Sequence, residues 1–142
     1  MPHDPVLVEE VRSWLKRAAE DLRAGGVELA ASPPLTCHAV FHAQQAAEKS
    51  LKAFLSWKDL PFRKTHSISE IGAACSAVDP SLGAIVQKAT PLTEFAWLYR
   101  YPGTDEDPAY EEAREALATG AEVMQEIVRR LPAEMRISYP RA

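Results

Sequence analysis

Several patterns that signal a particular chemistry are missing from this chain. It has two cysteines, Cys37 and Cys75, which match no CxxC or Cys/His metal spacing and are too few for a disulfide framework. Neither GxxxxGK[ST] nor GxGxxG occurs, so the common glycine-rich phosphate loops are absent. HExxH and GxSxG are also missing, which argues against zinc-protease and serine-hydrolase sites. We therefore expect free thiols, no disulfide partner, no metal and no cofactor.

The chain also lacks a basic charge excess and a long apolar run. Its formal net charge of -4 argues against a broad basic surface for non-specific nucleic-acid binding. The first residues, MPHDPVLVEE, contain neither the basic region nor the apolar stretch of a signal peptide, and no run reaches transmembrane length. We expect a cytoplasmic protein with no membrane contact. Its 142 residues, 46% of them hydrophobic, suffice for one domain with a core.

Apolar residues recur at helical spacing, which predicts an all-α fold, an up-and-down helical bundle of four to five helices. The bundle is expected to span residues 1–132, followed by a loosely ordered C-terminal tail at 133–142. The run LTEFAWLYRY would also permit a strand, but no second strand exists for it to pair with. The first predicted helix is Pro5–Ala24, which Gly25-Gly26 stops. The second runs from Leu35 or Thr36 to about Lys58, and the third runs from the N-cap Ser67 to about Val78. The helical pattern then covers Ser81–Thr90, the run LTEFAWLYRY as far as Tyr101, and Ala109–Leu131.

The stretch FHAQQAAEKSLKAFL in the second helix has an unusual mixture of small apolar and polar residues. One face holds Val40, Ala43, Ala47, Leu51 and Phe54, and the other holds His38, His42, Gln45, Lys49, Lys52 and Ser56. The polar stripe is open to two interpretations: a solvated face with surface glutamines and a weak Glu48–Lys52 pair, or one wall of a phosphate site. The wide apolar arc predicts cover from the bundle on one side and from a second subunit on the other, and hence a homodimer.

Two other segments supply basic residues that could complete such a site. In RKTH, Lys64 and His66 precede the start of the third helix, where free N–H groups favour anions. In YRYP, Arg100 could bind a phosphate in a bidentate manner or form a salt bridge with Asp105 or Glu106. The candidate ligand-binding residues are therefore Gln45, Lys49, Lys52, Lys64, His66, Arg100 and Tyr101.

Together, FHAQQAAEKSLKAFL, KTHSI and YRYP resemble the prokaryotic HEPN domain, over roughly Val6 to Leu131. The resemblance implies an all-α homodimer, commonly encoded beside a minimal nucleotidyltransferase in a toxin–antitoxin pair. It implies either nucleotide binding or RNA cleavage. Ribonuclease members carry an arginine followed, after four to six residues, by a histidine. No histidine follows Arg100 here, because His66 is the last in the chain.

Three hypotheses follow. The first is a binding module that holds a nucleotide, or a nucleotidyltransferase partner carrying one, between Lys49, Lys52, His66 and Arg100, with Tyr99 or Tyr101 stacking on a base. The second is a ribonuclease with a nonstandard active site that uses His66 or His42, together with Arg100. The third is a structural dimeric interaction protein. The absence of a histidine after Arg100 favours binding over cleavage.

Overall fold

The regular structure is α-helical throughout the part of the chain that can be described, as the sequence predicts. The computed structural model describes residues 2–99, 102 and 106–139. Within these ranges, two short 3-10 turns, Pro80–Leu82 and Ala133–Met135, accompany six α-helices. The helices are α1 (Pro5–Ala30), α2 (Thr36–Trp57), α3 (Ile68–Val78), α4 (Gly83–Ala89), α5 (Pro91–Leu98) and α6 (Tyr110–Arg130).

Helix α1 is longer than predicted, because Gly25 and Gly26 do not stop it. It begins where the Asp4 carboxylate accepts the Val6 N–H at 2.9 Å, and it runs on to Ala30. Gly25 is buried, and a Cβ there would lie 2.5 Å from a methyl carbon of Leu117 in α6. The glycine therefore serves a close approach of two helices, and a helix tolerates it in that role.

Helix α2 lies at the centre and packs against α1, α3, α5 and α6. The predicted core face is confirmed, since Val40, Ala43, Ala47, Leu51 and Phe54 are buried. The polar stripe is not the solvated face that one interpretation proposed: Lys52 and Ser56 are buried as well. Fifteen of the 22 residues of α2 are buried by this one chain, so the apolar arc is covered without a second subunit.

The middle of the chain follows the predicted boundaries closely. The predicted N-cap is confirmed, because the Ser67 hydroxyl accepts the Glu70 N–H at 3.2 Å. The Ser67 N–H itself donates to the Thr65 hydroxyl at 3.1 Å. Pro91 opens a new helix, α5, rather than kinking the preceding one. The predicted helix over LTEFAWLYRY is confirmed as far as Leu98.

Helix α6 closes the bundle, and the segment after it is more ordered than its weak periodicity suggested. Met135 is fully buried, and Arg12 of α1 donates to the backbone carbonyls of Glu134 at 3.3 Å and Arg136 at 2.9 Å. Hydrogen bonds to backbone carbonyls leave no periodic signal in a sequence, which explains why the tail was expected to be loose.

Within the described ranges, no helix has both the length and the apolar character that crossing a bilayer requires.

Candidate functional site

A buried carboxylate, Glu48 in α2, collects polar side chains around it. The Lys52 ammonium lies 2.7 Å from Oε1, and the imidazole Nδ1 of His66 lies 3.0 Å from Oε1 and 3.2 Å from Oε2. The side chains of Glu48 and Lys52 are only 3% and 10% exposed, whereas that of His66 is 60% exposed. A charged pair inside the bundle thus supports an imidazole at its surface.

Two glutamines complete this cluster, which we call the Glu48 network: Gln44, Gln45, Glu48, Lys52 and His66. Gln44 Nε2 donates to the His66 backbone carbonyl at 2.7 Å and to Glu48 Oε2 at 3.3 Å. Gln45 Nε2 donates to Gln44 Oε1 at 2.8 Å and to Glu48 Oε2 at 3.2 Å. Each amide therefore uses both of its hydrogens, and Glu48 only accepts.

The Lys52 ammonium is also placed over two aromatic rings. It lies 5.4 Å from the centre of the Trp14 ring and 5.7 Å from that of Phe62. Aromatic faces attract a desolvated cation, and such contacts contribute about 0.5–2 kcal/mol. These rings, with the Glu48 carboxylate, offset the cost of removing the ammonium from water.

His38 of the stripe is exposed, whereas His42, Lys49 and Ser56 face α1 rather than His66. They form three contacts along the antiparallel α1–α2 pair. Lys49 lies 2.7 Å from the Asp21 carboxylate, and His42 Nδ1 lies 2.6 Å from that of Glu28. At the other end, the Ser56 hydroxyl donates to Glu10 at 3.4 Å. His42 and His66 therefore lie in separate polar clusters, and both Lys49 and Lys52 already have a carboxylate partner.

The RKTH loop is held firmly against the bundle, but the start of α3 is not an open anion site. The N–H groups of Ser67, Ile68 and Glu70 donate to hydroxyls of this same chain, those of Thr65, Thr93 and Ser67. Lys64 is exposed beside His66 in the sequence. The loop thus presents side chains rather than backbone N–H groups.

The structure brings together some of the predicted site residues. Gln45, Lys52 and His66 meet at Glu48, whereas Lys49 turns toward Asp21. The predictions for Arg100 and Tyr101 concern positions outside the described residues. The two positions follow α5, whose Trp97 ring lies 6.0 Å from the His66 ring.

Sequence reasoning missed Glu48 and Gln44. One of the two interpretations of the stripe made Gln44 a surface amide and Glu48 half of a weak surface pair, but both residues are buried. One signal was present: Gln44, Glu48 and Lys52 follow each other at intervals of four and therefore share one side of the helix.

The two cysteines lie apart from the Glu48 network. Cys37 and Cys75 are free, and burial raises the pKa of the Cys75 thiol to about 12. The described ranges contain no group of three or more His, Cys, Asp or Glu side chains arranged to hold a metal ion.

Comparison with protein families matches residues 11–131 to the HEPN domain. This chain belongs to the HEPN domain family. The match runs from α1 through α6 and includes all five residues of the Glu48 network. HEPN membership is consistent with a nucleotide-related or ribonuclease-type function. Comparison with curated proteins found no match, and neither did comparison with solved structures.

Proposed function

We propose that this HEPN protein is a binding module for a nucleotide, which it holds at the face where His66 is exposed. One observation carries the proposal: a fully connected charged network is buried beneath a single exposed imidazole. Burying charges costs free energy unless every group is paired, and a satisfied network specifies one arrangement. A histidine that only occupied a loop would need no such support.

The site residues predicted from the sequence carry the chemistry that a nucleotide requires. Lys64 would form charge-assisted hydrogen bonds to phosphate oxygens, with Arg100 as a bidentate partner, and His66 would hydrogen-bond to another polar group of the nucleotide. Tyr101 would stack on the base. Gln45 and Lys52 would support this face from below. Lys49, paired with Asp21, would take part only if a ligand displaced that carboxylate.

Calorimetric titration with ATP, GTP, AMP and GMP tests this proposal. We expect binding by the intact protein and about tenfold weaker binding by Lys64→Ala, because a hydrogen bond to a charged group contributes about 1.5–3 kcal/mol. The matched control is Lys88→Ala, which removes another exposed lysine, one that pairs with Glu122 on α6. No heat with any nucleotide, or equal weakening by both variants, would refute the proposal.

A ribonuclease with a nonstandard active site is the second candidate, because the Glu48–His66 contact resembles the carboxylate–imidazole pair of general bases. Arg100 would then stabilise the developing charge. Incubation of the pure protein with a panel of labelled RNAs tests it. Cleavage that His66→Ala abolishes would favour this candidate over binding alone, and intact RNA would exclude it.

We further propose a cytoplasmic homodimer that acts with a minimal nucleotidyltransferase in a toxin–antitoxin pair. Support for the dimer comes from HEPN membership, since the chain itself covers the apolar arc of α2. Light scattering at micromolar concentration tests the dimer, and a monomer would contradict it.

Co-elution with a nucleotidyltransferase encoded beside the gene tests the partner. If Lys49→Glu changes assembly while no ligand binds, the structural interaction hypothesis replaces the binding one.

A further inference from the structure

We infer that Glu48 is a positioning residue that holds the His66 imidazole with its hydrogen on Nδ1, so that Nε2 faces outward as a hydrogen-bond acceptor. The site would then prefer ligands that present a hydroxyl group to His66. This ligand preference rests on the proposed function, whereas the role of Glu48 can be tested without any ligand.

The hydrogen on Nδ1 follows from the order of donors and acceptors in the Glu48 network. The His66 carbonyl can only accept, so the Gln44 atom 2.7 Å from it must be the amide nitrogen. Gln44 Oε1 must then accept from Gln45 Nε2 at 2.8 Å. Both amides therefore direct their second hydrogen at Glu48, as does the Lys52 ammonium.

Three donor groups are thus directed at the two Glu48 oxygens, and a carboxylate can only accept hydrogen bonds. The remaining contact to Glu48 comes from His66 Nδ1, at 3.0 and 3.2 Å from the two oxygens. This nitrogen must be a donor. In the neutral imidazole the other nitrogen, Nε2, then has no hydrogen and accepts.

The backbone of His66 is anchored, which keeps the ring in place. Gln44 and the Thr93 hydroxyl both donate to its carbonyl, at 2.7 and 3.4 Å, and the Trp97 ring lies beside the imidazole. A half-turn of the ring would replace the Nδ1–H donor at Glu48 by a carbon and would forfeit a charge-assisted hydrogen bond. Since Nδ1 is directed at a buried carboxylate and 60% of the side chain is exposed, Nε2 lies on the outward side.

The ligand preference follows because the outward-facing nitrogen of His66 accepts a hydrogen bond rather than donating one. A neutral Nε2 accepts from a ribose hydroxyl, but a fully ionised phosphate also only accepts and finds no donor there. While the imidazole is neutral, the hydroxyl should therefore meet His66 and the phosphate should meet Lys64. Ribonucleotides should bind about tenfold more tightly than their dideoxy analogues, the loss expected for one good hydrogen bond.

Ring-nitrogen NMR of the full-length 15N-labelled protein at about pH 8 tests the role of Glu48 directly. We expect His66, assigned with His66→Gln, to show a protonated Nδ1 and an unprotonated Nε2. In Glu48→Gln, we expect a mixture of both tautomers, because the amide can donate or accept. His42, whose Nδ1 contacts Glu28 instead, is the internal control and should not change. A wild-type His66 with its hydrogen on Nε2 would overturn the inference.

A second variant covers the case in which Glu48→Gln does not fold. Adding Lys52→Met removes the buried ammonium, and replacing both members of a buried ion pair is often nearly neutral. In this double variant an unchanged His66 tautomer would show that Glu48 does not set it. In the wild type, equal affinity for ribo- and dideoxynucleotides would overturn the hydroxyl preference. Absence of any nucleotide binding would remove the proposed function and that preference together, while the NMR result still decides the role of Glu48.

Discussion

Two glycines in the helices should respond to alanine in opposite directions. At Gly120 of α6, a Cβ would lie 2.7 Å from the backbone oxygen of Ala43 in α2, whereas at Gly26 of α1 nothing lies within 4 Å. Replacing a helical glycine by alanine raises the free energy of unfolding by about 1 kcal/mol where space allows. At Gly120 the methyl group meets backbone rather than a movable side chain, so an overpacking cost of about 3 kcal/mol leaves a net loss of about 2 kcal/mol.

Thermal unfolding followed by circular dichroism measures both effects. At about 4 °C per kcal/mol for a chain of this size, Gly26→Ala should raise Tm by about 4 °C and Gly120→Ala should lower it by about 8 °C. Gly25→Ala should fall between them, because the atoms it meets belong to the flexible Leu117 side chain. A Gly120→Ala protein as stable as the wild type would show that α2 and α6 do not approach this closely, and the central position of α2 would have to be revised.

Three further outcomes concern charge and burial. Glu48→Ala leaves a buried lysine without its carboxylate, so we expect urea unfolding to show that the free energy of unfolding falls by about 3–5 kcal/mol. A fall of less than about 1 kcal/mol would contradict the conclusion that Glu48 and Lys52 form a buried ion pair. The Ser81 hydroxyl lowers the pKa of the Asp79 carboxyl, so that its stabilising contribution is present above about pH 4 and is lost as the pH falls. The urea midpoint of Asp79→Asn should therefore decrease less between about pH 6 and pH 3 than that of the wild type. Burial raises the pKa of Cys75 to about 12, so a thiol reagent at about pH 8 should modify it only after unfolding, and Cys37→Ser should leave no reactive thiol in the folded protein.

The helix boundaries were largely predictable because local signals mark them. Ser67 before α3 and Pro91 at the start of α5 act within a few residues, and the structure uses both. Gly25-Gly26 carried an equally plain local signal, and the prediction there was wrong. A glycine pair ends a helix when the chain must turn, but it is retained inside one when a neighbouring helix needs the space, and nothing local distinguishes the two cases.

The candidate site was predictable only in part. Periodicity placed Gln45 and Lys52 on the polar side of α2, and the KTH segment placed His66 before α3. Their common partner, Glu48, could not be chosen on that basis, because a glutamate four residues before a lysine is also the ordinary surface pair. Its significance depends on burial, which the helices packed against α2 impose from other parts of the chain.

The sequence by itself determined the all-α fold and the HEPN family, since helical periodicity, caps and short motifs are local properties of the chain. Only the tertiary structure decided which polar residues are solvated and which are buried. It paired Lys49 with Asp21, placed Lys52 against Glu48 and two aromatic rings, and left His66 at the surface above them. The physical reason is that the free energy of a charge depends on its distance from water and from its partners. Lys49 and Asp21 are 28 residues apart and His66 and Glu48 are 18 apart, so each pair meets only once the helices have packed.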